Sequence, residues 1–351
     1  MKDILLIGFG WSSASFIKHI DNNKYNVKVI SPNINFVYTP LLVNSLFNNN
    51  TTITKNIKDI NPNVYHYQHK LIDVNFNQNQ ITLDNQTNIN YDYLIFAYGT
   101  EINTFNIQGI DKYCYFIKYD NDINILKNKL NNLKQNSNIA VIGCGPTGSD
   151  IIGKLLDTNK FNIYAIDGLQ KPLTMFQDIL SDYTLKLWKN HNVNLYFNHF
   201  VNKIDDNYIY FKNNENKINY DLAIWCGGIK TNILTNKINN YLNLNCKYGI
   251  PVNQYLKIDN QKYNNIYAIG DCGYNKLSPT AQVAYQEGKY LANCFNKDLK
   301  NIDTFNYIHK GQISYIGKNK SVYQYNQHIY FKGKLTGYLN HIIHLYNYFI
   351  I

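Results

Sequence analysis

Near the start of the chain stands Ile4-Leu5-Leu6-Ile7-Gly8-Phe9-Gly10-Trp11-Ser12-Ser13-Ala14. A second stretch of the same form is Ile139-Ala140-Val141-Ile142-Gly143-Cys144-Gly145-Pro146-Thr147-Gly148. In both, an apolar strand runs into a glycine-rich turn that opens a helix, which is the context of a dinucleotide-binding turn. The first glycine makes the tight turn, and the second lets the backbone approach a pyrophosphate at the helix N-terminus. Two such turns predict two bound dinucleotides and electron transfer between them.

The composition indicates a globular chain of two or three domains. It has 351 residues, of which 45% are hydrophobic, and a formal net charge of +10. All the basic residues are Lys, so no guanidinium is present to bind a phosphate in bidentate fashion. The Lys residues are scattered rather than clustered, and we therefore expect no nucleic-acid partner.

Cysteine spacing excludes several kinds of chemistry. The six cysteines form no Cys-x-x-Cys pair and no zinc-binding pattern, which argues against a disulfide-reductase mechanism and against a metal site. Nor do they resemble a disulfide framework, and this favours an intracellular, reducing compartment. Met1-Lys2-Asp3 leads straight into a strand, so no signal or transit peptide is predicted.

The order of the apolar strands predicts how the chain is divided. Residues 1–108 and 260–300 are assigned to the first dinucleotide-binding domain, and residues 109–259 to the second. A helix with Ile123, Leu126, Leu130 and Leu133 on one face introduces the second domain. Residues 301–351 form a C-terminal region, and Asn-rich segments such as 48–52 predict loops.

A third nucleotide-related element is the strand Ile266-Tyr267-Ala268-Ile269 running into Gly270-Asp271. A carboxylate at a strand end can accept hydrogen bonds from a ribityl or ribose hydroxyl. An isolated Gly-Asp is more often a simple turn. Together with the two glycine turns, in this order, the cofactor interpretation is favoured.

Several segments together resemble one family. The sequence is similar to the type II (alternative) NADH:quinone oxidoreductases, and most similar to their fungal and plant branch. The resemblance covers nearly the whole chain and implies an α/β fold of the glutathione-reductase-like superfamily, with two Rossmann-like domains that bind FAD and NADH. The segments are Gly8-Phe9-Gly10-Trp11, Val29-Ile30-Ser31-Pro32, Thr39-Pro40-Leu41-Leu42, residues 143–148, 266–272 and 279–288, and Lys310-Gly311 with Tyr315-Ile316-Gly317.

The resemblance implies that the first turn and the returning segment hold FAD. Ser31 stands where a generic fingerprint has an acid for the adenosine ribose; it is equally well read as a turn residue before Pro32. The implied FAD-binding residues are Gly8, Gly10, Trp11, Ser31, Thr39, Gly99, Gly270, Asp271, Ala281, Gln282 and Lys310.

The second turn is then the NADH site. Asp167 lies about 20 residues beyond Gly148, the separation expected for a carboxylate on the ribose 2′-hydroxyl. That carboxylate would repel a 2′-phosphate, which favours NADH over NADPH. A strand-end Asp in an Asp-Gly turn is the alternative. The implied NADH-binding residues are Gly143, Gly145, Pro146, Thr147, Gly148, Asp167 and Gly227.

Three residues are assigned to catalysis from the resemblance. Asp150 occupies a position that is usually Glu in the family, close to the nicotinamide and the quinone, but its side chain is one methylene shorter. It is alternatively a dipole partner at the helix N-terminus. Gln282 and Gln286 are spaced i, i+4 and would share a helix face near the quinone; an exposed helix with two Gln residues is the other interpretation.

The segment 335–351 is the clearest amphipathic stretch. Its predicted apolar face is Leu335, Tyr338, Leu339, Ile342, Tyr346, Phe349 and Ile350, opposite Asn340, His344 and Asn347. Such a helix suits a membrane interface, and a buried C-terminal helix has the same pattern. The family uses this region for peripheral membrane contact and includes homodimers, but it also has a further basic amphipathic segment, before which this sequence ends.

The predicted reaction is transfer of hydride from NADH to FAD and then of two electrons to a quinone, without proton pumping. A soluble NADH-dependent reductase of another small acceptor or redox protein is the first alternative. A basic flavoprotein whose main role is binding is the second.

Overall fold

The computed structural model describes residues 1–48, 53–212 and 214–350, and the side-chain surroundings of all of these except 214, 215 and 344–350. The loop expected at 48–52 and the last residue of the predicted tail therefore lie largely outside the described residues.

The first unit is built on a five-stranded parallel sheet. Its strand order is Ile266–Ala268, Tyr93–Phe96, Lys2–Ile7, Tyr25–Ile30 and Tyr65–Tyr67. The central strand is apolar on both faces: Ile4 and Leu6 pack into one core, and Leu5 and Ile7 into another. A parallel strand covered on both sides is expected to be continuously hydrophobic in this way. The returning strand predicted near residue 266 is thus confirmed.

Helices and small antiparallel sheets surround this first sheet. The helices Trp11–His19 and Ala281–Asn296 cross so closely that a Cβ on Gly288 would lie 2.1 Å from the Ser12 carbonyl oxygen. This unit also contains two short helices, Leu42–Phe47 and Ile57–Ile60, and two 3₁₀ turns, Thr39–Leu41 and Gly270–Cys272. Two strands, Asn35–Val37 and Thr54–Asn56, form an antiparallel pair. A three-stranded antiparallel sheet consists of Leu71–Asn75, Gln80–Leu83 and Asn88–Asn90.

The second unit repeats the first sheet. Its parallel strands are ordered Cys114–Tyr115, Leu222–Trp225, Asn138–Ile142, Asn162–Asp167 and Asn194–Phe197. The predicted amphipathic helix is Asp120–Asn132, with Ile123, Leu126 and Leu130 buried. The other elements are the helices Ile110–Tyr113, Pro146–Thr158 and Asp178–Asn190 and the antiparallel strands Val201–Ile204, Tyr208–Phe211 and Asn214–Asn219.

The boundary between the two units differs from the one drawn on the sequence. Strand Thr100–Ile102 pairs with Ile229–Thr231 and links the units. Beyond that link, the helix Ile233–Tyr241 and the strand Ile250–Pro251 belong with the first unit, because Ile238, Leu242, Ile250 and Ile258 share a core with the first sheet. This segment lies within residues 109–259, the range assigned to the second domain from the sequence.

The C-terminal region is a hairpin sheet followed by a helix. Strands Gln312–Gly317, Lys320–Gln324 and Tyr330–Gly333 form the sheet, and the helix is Lys334–Ile350. The sheet packs on helix Pro146–Thr158 of the second unit, where a Cβ on Gly153 would lie 2.6 Å from the Gly317 nitrogen. This contact brings the C-terminal region beside the second glycine turn.

Candidate functional site

The first glycine turn has the geometry of a phosphate cradle. Gly8 has a φ of +101°, and a Cβ there would lie 2.5 Å from the Cα of Tyr98. Gly10 begins the helix, with no side chain capping its first turn and, apart from its own neighbours along the chain, no described atom within 4 Å of the place that a Cβ would occupy. An uncapped helix N-terminus on an open glycine fits a pyrophosphate. Ser13, in place of the third glycine, donates its hydroxyl to the Gly8 carbonyl at 2.8 Å.

The predicted FAD residues come from four strand ends that meet at one edge of the first sheet. Gly8, Ser31, Gly99 and Gly270 each follow one of the parallel strands. Carboxyl ends of neighbouring parallel strands at one edge form the usual ligand crevice of such sheets.

Two of these residues also serve the local structure. The indole N–H of Trp11 donates to the Thr39 hydroxyl at 2.9 Å and so ties the Thr-Pro-Leu-Leu segment to the first turn. Ser31 is buried, and its hydroxyl accepts the Asn33 N–H at 3.2 Å. Ser31 is thus a turn residue at the strand end where an adenosine ribose would approach.

Asp271 lies at the centre of a charged group that the sequence did not predict. Partial burial raises the pKa of Asp271, and Lys118 and Thr100 oppose that rise. Lys118 donates its ammonium to the Thr100 carbonyl, and burial lowers the pKa of Lys118. Lys118 lies just before the first long helix of the second unit and therefore joins the two units at the predicted flavin site. A scattered Lys in a Lys-rich chain carries no signal that could have singled it out.

Glu287 is the second residue that sequence reasoning missed. Its buried carboxylate accepts the Gly270 N–H at 2.5 Å and an Asn275 side-chain N–H at 2.7 Å. Its position next to Gln286 in a motif of the resembled family was the available signal.

The second glycine turn repeats the geometry of the first. Gly143 has a φ of +97°, and a Cβ on Gly148 would lie 1.8 Å from the Gly143 carbonyl oxygen. Gly145 begins the helix uncapped, followed by Pro146 at its first position and then Thr147. Proline suits that position because its missing N–H would have had no helical partner. The arrangement fits a second dinucleotide.

Asp167 ends its strand at the same edge as Gly143. One carboxylate oxygen accepts the Cys144 N–H at 2.6 Å, and the other accepts the Leu169 N–H at 2.8 Å. The carboxylate is thus held beside the turn, and each oxygen keeps a lone pair for a ribose hydroxyl. Gly227 follows the neighbouring strand, and a Cβ there would strike the Trp225 ring at 2.4 Å.

Asp150 joins the second unit to the C-terminal sheet. One of its carboxylate oxygens accepts the Tyr315 N–H at 2.7 Å and the Ser314 hydroxyl at 3.0 Å. Burial raises the pKa of Asp150 to about 7 in spite of these hydrogen bonds. It also lines a cavity of about 230 Å³ whose other walls include Pro40, Lys154, Tyr338 and His341. A carboxyl that titrates near neutrality beside a cavity can hold or release a proton there.

The two glutamines share a helix face, as their spacing predicted, and both hold the segment before the C-terminal sheet. Gln286 donates to the Ile308 carbonyl and accepts the Ile308 N–H, each at 2.9 Å. Gln282 donates to the Gly311 carbonyl at 2.6 Å and accepts the Lys310 N–H at 3.2 Å. Each amide retains one N–H for a further partner, whereas the Gln282 oxygen is fully used because it also accepts the Tyr307 hydroxyl at 3.4 Å.

The C-terminal helix turns its apolar side outward. Thr336 and Asn340 are buried against the sheet, and Asn340 donates to the Ser321 hydroxyl at 3.2 Å. The exposed residues Leu335, Tyr338, Leu339 and Ile342 form what we call the outer apolar face, with Leu335 84% and Ile342 61% exposed. The side chains of His344, Tyr346, Asn347, Phe349 and Ile350, and residue Ile351, lie outside the described ones.

Within the described residues, no helix combines the length and hydrophobicity needed to cross a bilayer. In the same part of the chain, no cluster of three His, Cys, Asp or Glu side chains suits a metal ion. All six cysteines are free thiols.

Two parallel sheets, each with a glycine turn and a strand-end carboxylate at one edge, define a protein that binds two dinucleotides. A family model described as pyridine nucleotide-disulphide oxidoreductase matches residues 2–288, and the chain belongs to that family.

Named relatives confirm the resemblance to type II NADH:quinone oxidoreductases. A probable mitochondrial NADH-ubiquinone oxidoreductase of Schizosaccharomyces pombe is 27% identical over 92% of this chain and 73% of its own. The external mitochondrial NADH-ubiquinone oxidoreductase 2 of Saccharomyces cerevisiae is 26% identical over 92% and 72%. The structure of NDH2 from Plasmodium falciparum in complex with NADH superposes with a TM-score of 0.90, at 25% identity, over 97% of this chain and 94% of that one.

Proposed function

We propose that this protein is a FAD-dependent NADH dehydrogenase that passes two electrons from NADH to a quinone. The observation that carries the proposal is the pair of uncapped, glycine-led helices, one on each parallel sheet, with Asp271 and Asp167 at the corresponding edges. The chain is also similar over nine tenths of its length to proteins named NADH-ubiquinone oxidoreductases.

FAD, when bound, supplies the chemistry of accepting hydride and releasing electrons. The residues of this chain bind the FAD and orient it. Gly8 and Gly10 leave room for the FAD pyrophosphate, and the Asp271 carboxylate accepts hydrogen bonds from the ribityl hydroxyls. Trp11 and Thr39 hold the segment that covers the site, and Gly99, Ala281 and Lys310 line it.

For NADH, Gly143, Gly145 and Gly148 admit the pyrophosphate at the second helix. Asp167, already held by the Cys144 N–H, accepts the ribose 2′-hydroxyl and disfavours a 2′-phosphate through charge repulsion. Pro146, Thr147 and Gly227 border the nucleotide. This arrangement selects NADH over NADPH.

At the acceptor side, Gln282 and Gln286 shape the site by holding residues 308–311, and the remaining N–H of each amide donates to a quinone carbonyl. Asp150 holds or supplies a proton at the cavity that it lines, since burial brings its pKa to about 7. The one proton that NADH does not supply when a quinone is reduced to a quinol enters here.

The outer apolar face docks on a membrane surface and gives access to a lipid-soluble quinone. Its support is the orientation of the helix: polar Asn340 faces the protein while Leu335 and Ile342 face outward. The alternative is that a second copy of the chain packs on the same face to form a homodimer. Flotation with lipid vesicles tests membrane docking, and the molecular mass of the protein in solution tests dimer formation.

The test of the function is an acceptor screen. Purified protein should carry FAD, lose its flavin absorbance when NADH is added without oxygen, and recover that absorbance with ubiquinone analogues faster than with oxygen. Recovery with ferricyanide or a redox protein but with no quinone would contradict the proposed acceptor. A folded protein that takes up no FAD would contradict the whole proposal.

A further inference from the structure

We infer that Glu287 is a positioning residue for FAD: its ionised carboxylate clamps the loop 270–275 that carries Asp271, and the clamp sets how tightly FAD is held. This inference rests on the proposed function, because it assumes that Asp271 faces the ribityl chain.

The clamp closes both ends of one short loop. Glu287 is only 3% exposed, and its Oε2 accepts the Gly270 N–H at 2.5 Å while its Oε1 accepts an Asn275 Nδ2 hydrogen at 2.7 Å. Gly270 has a φ of +69°, a conformation that only glycine adopts readily, and it places Asp271 at the sheet edge. Fixing Gly270 and Asn275 therefore fixes Asp271 between them.

Two donors that converge on one side chain require two acceptor oxygens. A carboxylate provides both, whereas a glutamine or a protonated carboxyl group turns a hydrogen towards one of the donors. Asn275 cannot simply reverse its amide, because its Oδ1 already accepts the Leu277 N–H at 3.2 Å. The ionised form of Glu287 is thus the form that holds the loop.

The surroundings oppose that ionised form. Burial raises the pKa of Glu287 to about 7, and the negative charge of Asp271 adds to that rise. Lys230 and Lys247 line the adjoining cleft of about 330 Å³, yet none of the ion pairs between described residues includes Glu287. The titratable groups that interact electrostatically with Glu287 are Asp271 and Cys272 from the 3₁₀ turn. Four further titratable groups line the same cleft: Lys230, Lys247, Tyr248 and Tyr274.

FAD affinity should therefore fall as the pH falls through 7. A group that must be ionised, with a pKa of about 7, changes its ionised fraction about tenfold between pH 8 and pH 6. Folding stability moves the other way: the folded pKa lies above the ordinary value of 4.5, so the contribution of Glu287 to stability falls as pH rises between 4.5 and 7. A residue that merely stabilised the fold would not make FAD affinity rise with pH while folding stability falls with pH.

The experiment dilutes the FAD-loaded full chain at pH 6, 7 and 8 and measures the FAD dissociation constant by flavin fluorescence. It compares the unmodified protein with Glu287→Gln, Asn275→Asp and the double variant. In the double variant, the amide introduced at position 287 donates to the new carboxylate at position 275 and accepts the Gly270 N–H, so the clamp is rebuilt with the same net charge. Circular dichroism confirms that each variant is folded.

We expect affinity in the unmodified protein to drop about tenfold from pH 8 to pH 6. Glu287→Gln should bind FAD about tenfold more weakly than the unmodified protein at pH 8, and its FAD affinity should not change with pH. Asn275→Asp should also bind FAD weakly. The double variant should recover most of the FAD affinity, and that affinity should not change with pH. An unmodified protein that binds FAD equally at pH 6 and 8, or a double variant no better than Glu287→Gln, overturns the inference. A protein that binds no FAD at any pH overturns the proposed function instead.

Discussion

The Asp150 carboxylate accepts the Tyr315 backbone N–H at 2.7 Å, so the helix of the second glycine turn is tied directly to the C-terminal sheet. The resemblance described above implies a Glu at this position, which would be one methylene longer. Here the shorter side chain is anchored on the side of the C-terminal sheet, beside the cavity.

Asp150→Asn should flatten the pH dependence of both stability and turnover. The folded pKa of Asp150, about 7, lies above the ordinary value of 3.8, so its contribution to stability falls as pH rises between those values. Asn keeps an acceptor for the Tyr315 N–H but does not titrate. Urea unfolding at pH 5 and pH 8, with kcat measured over the same range, checks this; an inflection near pH 7 that survives in the variant would show that another group causes it.

Gly148→Ala and Gly145→Ala should differ in stability while both impair NADH binding. A Cβ at 148 would lie 1.8 Å from the Gly143 carbonyl oxygen, whereas the nearest atom to a Cβ at 145 is the Met175 Cε at 3.8 Å. Gly148→Ala should therefore lose about 1–3 kcal/mol of stability through strain. Gly145→Ala should fold normally and bind NADH weakly, because its methyl group enters the pyrophosphate path. Thermal melts and NADH titrations measure both effects, and normal NADH binding by Gly145→Ala would contradict the placement.

Asp167→Ala should raise the KM for NADH by about tenfold or more, with less effect on kcat, since a ribose contact is made equally in the ground and transition states. Discrimination against NADPH should narrow, because the repelling charge is gone. Steady-state kinetics with both nucleotides provides the measurement. Equal kcat/KM for NADH and NADPH in the unmodified protein would place this carboxylate away from the 2′ position.

Gln286→Leu should slow flavin reoxidation by a quinone and spare reduction by NADH. Leucine removes both hydrogen bonds to Ile308, so the segment that Gln286 holds loses its attachment at the acceptor side. Stopped-flow absorbance follows the two half-reactions separately. Slower reduction by NADH with unchanged reoxidation would mean that the acceptor site lies elsewhere.

Replacing Leu335 and Ile342 together by Asp should release the protein from liposomes, because charge on the outer apolar face adds a desolvation penalty. Turnover of long-chain quinones should fall more than that of short, soluble ones. Ile233→Asp is the matched control: Ile233 is 78% exposed but lies on a helix of the first unit. Flotation that is unchanged in the double variant, or lost equally in the control, would contradict membrane docking by this face.

The elements that could be predicted from the sequence are those whose chemistry is local. Gly8 and Gly143 have positive φ angles, as the turn after a buried strand requires, and a run such as Ile4-Leu5-Leu6-Ile7 is apolar at every position because both of its faces are covered. In each of the two sheets, the parallel strands all end at one edge. Strand order alone therefore predicted that Asp271 lies at that edge of the first sheet and Asp167 at that edge of the second.

What only the tertiary structure decided depends on contacts between distant segments. Lys118 reaches Asp271, which lies in another domain-sized stretch of the chain, and a Lys is ordinary in this composition. Glu287 meets Gly270 and Asn275 because the turn between them folds back on its helix. An amphipathic pattern cannot say which face turns inward: the helix Lys334–Ile350 presents Asn340 to the protein because Ser321 offers it a hydrogen bond, leaving Leu335 and Ile342 outside. Periodicity determines that two faces exist, and the neighbouring surface decides which of them is buried.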